Sequence, residues 1–195
     1  MDVEELARTW HIHLVVERGV SEHTISNYDR DLRRYISWLD GAGLRDLSRV
    51  TARDIEAYVA DLRRGVGGAP PLAPASAARA LVVARGLHKF GVAEGVLAAD
   101  VSAEVSPPAQ GEALPDTLSV TEVTALLDAC TTATPLGLRD KALLETLYAT
   151  GARVSEVLAL TVDDVTDHSG VLMVHGKGNK QRLVPVGTHA VEALD

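Results

Sequence analysis

Two segments in the second half of the chain place basic residues where a phosphate group could be held. Arg153 follows a glycine, Gly151, at the end of an apolar helical stretch, and Lys177 lies in a glycine-rich turn over residues 176–180 between two strand-like runs. A guanidinium group is planar, always charged and able to bind phosphate with two parallel hydrogen bonds. A lysine in an exposed turn can neutralise phosphate charge or protonate a leaving oxygen. The two segments together indicate phosphate chemistry.

Each of these residues also has an ordinary structural explanation. Arg153 stands three residues before Glu156, a spacing at which opposite charges on one helix pair. Lys177 can protect the edge of a sheet or supply turn polarity. Lys180 and Arg182 carry the same two options, with contact to a backbone phosphate of DNA as the functional one. Spacing alone leaves both explanations open.

The composition is that of an ordinary globular protein and carries no metal or cofactor motif. With 46% hydrophobic and 24% charged residues, the 195-residue chain can bury one or two cores. Its single cysteine, Cys130, excludes an internal disulfide, fits a reducing cytoplasm and is expected to be a small core residue. The seven histidines show no ligand spacing, and no P-loop occurs. No apolar run approaches the roughly 18 residues that a membrane span needs, so no membrane partner is expected.

The net charge of −8 argues, taken alone, against a nucleic-acid partner. However, the charge of the whole chain does not determine the potential of one face. Arg30, Arg33 and Arg34 lie mostly opposite the apolar stripe of a predicted helix. We predict that this face contacts DNA phosphates; the alternative is a solvated face with ion pairs to Asp29 and Asp31.

Helical periodicity dominates the first hundred residues. Helices are predicted over residues 4–18 and 22–39, after a cap at Thr51, and from near Ser76 onward. A proline-rich segment over residues 107–115 is predicted to be an interdomain linker. The sequence therefore predicts a helical domain over residues 1–106 and a second domain over residues 116–195.

The second domain is predicted to combine helices with a small sheet. The expected elements are a helix capped by Ser119 or Thr121, a helix over residues 138–149, a short helix over 154–160, strands over 170–175 and 181–186, and a last helix capped by Thr188. The residues between the two strands are predicted to form a hairpin.

Three motifs in this order resemble the tyrosine recombinases of the XerC/XerD type. They are Leu-Arg-Asp-Lys at 138–141, Thr-Gly-Ala-Arg-Val-Ser-Glu at 150–156, and Gly-Lys-Gly-Asn-Lys-Gln-Arg-Leu-Val-Pro at 176–185. Residues 21–38 are similar to the core-binding domain of that family. The resemblance implies a mainly α fold, with an N-terminal SAM-like core-binding bundle followed by the first part of an α+β catalytic domain that carries a small β-hairpin.

The resemblance also implies a function. Enzymes of this family cleave and rejoin double-stranded DNA at specific recombination sites through a 3′-phosphotyrosyl intermediate, without metal or other cofactor. They act as tetramers with partner recombinase protomers. For this type of recombinase, the resemblance implies chromosome dimer resolution at cell division in the cytoplasm. The alternatives are a non-catalytic, truncated DNA-binding relative and the integrase of a phage or mobile element.

The motif positions assign roles to individual residues. Arg153 matches the arginine that steadies transition-state charge, Lys177 matches the general acid towards the 5′-oxygen, and Glu156 matches a residue that supports the arginine. The nucleophilic tyrosine and the His-x-x-Arg motif of the family do not occur in these 195 residues. The four tyrosines, Tyr28, Tyr35, Tyr58 and Tyr148, lie on apolar helical stripes and are predicted to be core or groove residues. The chain alone is therefore expected to be inactive in strand cleavage.

Overall fold

The structure, a computed structural model, describes residues 2–109, 111, 116–166, 170–176, 178 and 180–195. It divides into two compact units, Met1–Ala113 and Leu114–Asp195. Much of the predicted linker, residues 110 and 112–115, lies outside the described part of the chain. The predicted domain limits at 106 and 116 therefore remain a prediction. No helix in the described ranges is long and apolar enough to cross a membrane.

The first unit is a helical bundle. Its helices are α1 (Val3–Ile12), α2 (Glu22–Gly41), α3 (Ala52–Arg64) and α4 (Pro74–Ala93). A π-helical turn, His13–Glu17, continues α1, and a 3-10 turn, Leu47–Arg49, precedes α3. Thr51 and Asp54 form a reciprocal capping box that fixes the start of α3. Helix α4 begins at Pro74, two residues before the predicted start. Proline suits the first helical turn because it has no backbone N–H, and N–H groups in that turn have no intrahelical acceptor.

Helix α4 packs against the other three helices and supplies much of the core. Small residues on this helix, including Ala77, Ala80 and Ala84, are fully buried and let the neighbouring helices approach closely. Gly86 marks the tightest approach, because a Cβ atom there would lie 2.4 Å from the ring of Trp10. The core of the bundle thus combines small side chains on α4 with buried aromatic residues, among them Tyr35, Tyr58 and Trp10.

The second unit combines short helices with one antiparallel hairpin. Its elements are α5 (Val120–Asp128), α6 (Pro135–Thr150), α7 (Val154–Val157), α8 (Val162–Val165), β1 (Val171–His175), β2 (Gln181–Pro185) and α9 (Thr188–Leu194). The strands pair in a register that sets Val174 opposite Arg182. Leu172, Val174 and Val184 face a small core that also contains Val157. The mainly α fold with one small hairpin is confirmed.

Local capping explains where the helices of this unit depart from the predictions. Helix α5 is capped by Ser119, whose reciprocal bonds with Glu122 form a capping box. Helix α6 begins three residues early, since Thr134 caps it and a proline occupies its first turn. Helix α7 ends at Val157 rather than at the predicted residue 160, and the short helix α8 was not predicted from the sequence. Thr188 is the first residue of α9 with Gly187 at the cap position, so the predicted cap was wrong.

Candidate active site

A left-handed glycine sets the direction of the chain before Arg153. Helix α6 ends at Gly151, whose φ is +59° and whose N–H donates to the carbonyl of Leu147 at 3.0 Å. A Cβ atom at Gly151 would meet nothing within 4 Å, so the backbone conformation rather than space requires glycine here. The chain then turns, and Arg153 caps the start of α7 in an extended conformation. Its side chain is 68% exposed.

Glu156, in the first turn of α7, is buried and binds Arg153 twice. Its Oε2 accepts the backbone N–H of Arg153 at 2.8 Å, and its Oε1 accepts a hydrogen bond from Nη1 of the same residue at 2.8 Å. The ion pair suggested by the spacing is therefore present. Most of the Arg153 side chain nevertheless stays exposed, so the structural and the functional explanations of this residue are compatible.

A second arginine reaches the same carboxylate from strand β2. Arg182 donates from Nη1 to Oε1 at 2.7 Å and from Nη2 to Oε2 at 2.6 Å, in a bidentate arrangement. Each oxygen of Glu156 thus accepts two hydrogen bonds, which uses the full capacity of a carboxylate. The hydrogen bonds from Arg182, followed by the bond from the backbone N–H of Arg153, lower the pKa of the Glu156 carboxyl to about 2. The carboxylate therefore stays charged throughout the neutral and mildly acidic range.

The hairpin turn begins beside this cluster. The N–H of Gly176 donates to the carbonyl of Lys180 at 2.7 Å, and Gly178 has a φ of +73°. A Cβ atom at Gly176 would lie 3.1 Å from Oε1 of Glu156. Glycine therefore lets the start of the turn approach the carboxylate. Lys177 itself lies outside the described residues, and its predicted role remains a prediction; Lys180 is exposed.

Sequence reasoning did not find the contact between Arg182 and Glu156. The two residues are 26 positions apart, so no helical or local spacing connects them. One signal was available: Arg182 lies two residues before the buried Val184 on β2, so both side chains belong to the inward face of the strand. An inward-facing arginine requires a charged partner.

The basic face of α2 is partly committed to internal contacts. Arg34 donates to the buried carboxylate of Asp31 at 2.6 Å, and Arg79 of α4 binds the other oxygen of that carboxylate at 2.7 Å. The interpretation as an ion-pairing face thus describes Arg34. Arg30 and Arg33 are exposed.

The tyrosines differ in their surroundings. Tyr35 and Tyr58 are fully buried, as predicted, and the hydroxyl of Tyr35 lies 2.8 Å from Nε2 of His88. Tyr28 is partly buried, whereas Tyr148 is 56% exposed and is not a core residue. Cys130, predicted to be a core residue, is only half-buried. Among the described residues, no group of three or more His, Cys, Asp or Glu side chains could hold a metal ion.

Comparison with known sequences places both units in one protein family. The N-terminal SAM-like domain of phage integrases matches residues 7–95, and the phage integrase family matches residues 116–195. The tyrosine recombinase XerD of Corynebacterium glutamicum is 55% identical over 197 residues, a match that covers 100% of this chain and 65% of the relative. XerD of Mycobacterium tuberculosis is 47% identical and is matched over 94% of this chain and 61% of its own length. The chain thus spans slightly less than two thirds of these relatives.

Solved structures share the fold at low sequence identity. A lambda integrase tetramer bound to a Holliday junction superposes with a TM-score of 0.72 at 20% identity, covering 100% of this chain and 53% of the integrase. XerH bound to a palindromic difH substrate in a post-cleavage complex gives a TM-score of 0.67 at 21% identity, covering 91% of this chain and 52% of XerH.

Proposed function

Because the chain belongs to the phage integrase family of tyrosine recombinases, we propose that it supplies the DNA-binding bundle and part of the catalytic site of an enzyme that cleaves and rejoins DNA at a specific site. One observation carries the mechanistic part of this proposal. An exposed arginine, Arg153, is held by a buried and fully hydrogen-bonded carboxylate at the start of a short helix.

Arg153 is suited to stabilising charge on a phosphoryl group under attack. In strand cleavage by a tyrosine, negative charge increases on the non-bridging oxygens, and a fixed guanidinium stabilises that charge without reorganising during the reaction. Glu156 restricts the orientation of the guanidinium before DNA arrives. We assign to Lys177 the protonation of the leaving 5′-oxygen.

The energy of the broken phosphodiester is retained in the covalent phosphotyrosyl link, so rejoining needs no ATP. We do not assign the nucleophile to any of the four tyrosines in this sequence. Tyr35 and Tyr58 are buried in the bundle core, remote in sequence from Arg153.

DNA contact in the bundle is assigned to α2. Arg30 and Arg33 are exposed there, and Arg34 contributes charge that Asp31 partly compensates. In the second unit, the exposed Lys180 at the end of the hairpin turn is the proposed contact near the scissile phosphate. Arg182, predicted as a second contact, has both terminal nitrogens bound to Glu156. The lambda integrase and XerH structures contain DNA, the former as a tetramer. We propose that this protein likewise binds a double-stranded recombination site together with further recombinase protomers.

The identity of 55% to a XerD recombinase favours chromosome dimer resolution in the cytoplasm at cell division over the integration of a mobile element. The test uses the complete product of the gene and a DNA site selected from genomic fragments by binding. A nicked suicide substrate of that site should trap a covalent protein–DNA complex on a denaturing gel. On this ordinary substrate, Arg153→Ala should reduce the complex below detection while DNA binding persists. If the unaltered protein forms no covalent complex on any bound fragment, the proposed activity is refuted and a binding protein remains.

Lys177 has a separate test. Lys177→Ala should stop cleavage of an ordinary suicide substrate but not of one with a 5′-bridging phosphorothiolate, because a thiolate leaves without protonation. Failure of this rescue would exclude proton donation as the role of Lys177.

A further inference from the structure

We propose that Arg182 is a positioning residue for Arg153, which it holds in place through Glu156. This inference rests on the proposed recombinase function, and it assigns Arg182 a role different from the phosphate contact predicted by its sequence position. Three features of the structure support it: the hydrogen bonds on Glu156, the balance of charge in the cluster, and the position of Arg182 on the hairpin.

The hydrogen bonds of Glu156 divide equally between two arginines. Arg153 supplies two of the four, one from its backbone and one from its side chain, and Arg182 supplies the other two. Without Arg182, a buried carboxylate would lose half of its donors and one of its two counter-charges. The two bonds from Arg153 would remain, but the carboxylate would lose its restraint from β2, and the Arg153 guanidinium bound to it would be held less firmly in one orientation.

The balance of charge gives Arg182 a second effect. Glu156 alone would neutralise Arg153 and weaken its attraction for a phosphate. With Arg182 present, the three side chains together carry one net positive charge. Because both terminal nitrogens of Arg182 bind the carboxylate, the more exposed Arg153 is the group that can present this charge to a ligand. The side chain of Arg182 is only 39% exposed, against 68% for Arg153.

The location of Arg182 connects two parts of the site. It lies on β2, opposite Val174 of β1, so it belongs to the strand pair that carries the turn. Gly176 approaches Glu156 from the same hairpin. The bidentate bond to Glu156 therefore ties the hairpin that contains Lys177 in its sequence to the helix that presents Arg153. Arg153 and Gly176, the described residue at the start of the turn, thus lie beside one carboxylate.

The experiment separates positioning from DNA contact by measuring binding and cleavage independently. The complete gene product is titrated with the selected DNA site to obtain Kd, and single-turnover cleavage is then measured at saturating DNA. We expect Arg182→Ala to slow cleavage about 100-fold, as expected for a misplaced catalytic group, while Kd stays unchanged. Arg182→Lys should recover only part of the rate, because lysine restores the charge but not the bidentate geometry.

A double-mutant cycle tests whether the effect passes through Arg153. Arg182→Ala is combined with Arg153→Ala, and cleavage is measured on the 5′-bridging phosphorothiolate substrate, which keeps slow reactions measurable. If Arg182 acts by placing Arg153, its removal should cost little once Arg153 is absent. Arg139→Ala is the charge-matched control, since Arg139 is an exposed arginine of the same unit paired with its neighbour Asp140. It should leave both Kd and the cleavage rate unchanged.

Four results would overturn the inference. An increase in Kd with unchanged cleavage at saturation would make Arg182 a DNA contact, and full additivity in the cycle would make its effect independent of Arg153. Unchanged cleavage in Arg182→Ala would leave it without a role. Loss of the native amide spectrum in both Arg182→Ala and Arg182→Lys would make it a residue of the fold alone. Absence of cleavage by the unaltered protein would instead refute the proposed function, so the two failures are distinguishable.

Discussion

A buried histidine should make the bundle sensitive to acid. His88 of α4 is fully buried, and its Nε2 lies 2.8 Å from the hydroxyl of Tyr35. Its other ring nitrogen, Nδ1, has no hydrogen-bond partner among the described residues. Burial lowers the pKa of His88 to about 4, although the negative charge of Asp100 acts in the opposite direction. The ring is therefore neutral in the folded protein at neutral pH.

The size of the effect follows from the two pKa values. Unfolding returns His88 to its ordinary pKa of 6.5, so the unfolded chain takes up a proton at a higher pH than the folded chain. Stability is fully retained above pH 6.5 and is lost progressively as pH falls towards 4. At about 1.4 kcal/mol per unit of pKa, this single group removes about 3 kcal/mol from the free energy of unfolding.

Tryptophan fluorescence can follow this loss in the bundle alone, because both tryptophans, Trp10 and Trp38, belong to the first unit. Urea unfolding between pH 7 and pH 4 should show a steep fall in stability for the unaltered chain. His88→Gln should be less stable at pH 7 but should lack that component of the slope. His23→Gln, at an exposed histidine of α2, is the control and should keep it. Parallel stability curves for the unaltered chain and His88→Gln would refute the argument.

Three further predictions concern close packing and buried charge. Gly86→Ala should destabilise the bundle by about 1–3 kcal/mol in urea unfolding, because the added methyl group would overlap a tryptophan ring; Gly41→Ala, where a Cβ atom meets nothing within 4 Å, is the control. Asp31→Asn should cost about 1.5–3 kcal/mol, because two partly exposed arginines lose their charged hydrogen-bond acceptor. Asp40→Asn, at an exposed ion pair, should cost less than about 1 kcal/mol. Glu156→Gln should remove an acid-sensitive component of the stability of the second unit between pH 4.5 and pH 2. The depressed pKa of Glu156 stabilises that unit above pH 4.5, and this stability is lost as pH falls towards 2. Methyl NMR signals of Val184 would report the acid unfolding of the unit, and an unchanged midpoint pH in Glu156→Gln would count against a stabilising role of the cluster.

Local patterns were sufficient to predict most helices and the hairpin. Helical spacing of apolar residues located the four helices of the bundle, and the glycine turn between apolar runs located the two strands. Apart from α8, which was not predicted, the errors fell at element ends, where a single hydrogen bond decides the boundary. The capping box of Ser119 and Glu122 was visible in the sequence as a Ser-x-x-Glu pattern, but its significance was missed. The early start of α6 follows from Thr134 and the proline after it.

The site was less predictable, because its decisive contacts join distant residues. Motif resemblance identified Arg153 and its support by Glu156. No sequence pattern connected Arg182 with Glu156, since β2 and α7 meet only in the folded unit. The same is true of Asp31 and Arg79, which are 48 positions apart. In both cases a buried carboxylate gathers arginines from separate elements, and only the fold determines which arginines these are.

This use of carboxylates also changes what the net charge of −8 implies. Acidic residues such as Asp54 and Glu122 accept hydrogen bonds at helix N-termini, where the helix dipole favours negative charge. Asp31 and Glu156 are buried against arginines. At physiological ionic strength, charges more than about 8 Å apart are largely screened, so a phosphate responds to the few groups nearest to it. The relevant measurement is therefore the salt dependence of DNA binding rather than the isoelectric point. Removing Arg30 and Arg33 together should lower the slope of log K against log salt by about 2 if both neutralise phosphates, and an unchanged slope would exclude this face of α2 from the interface.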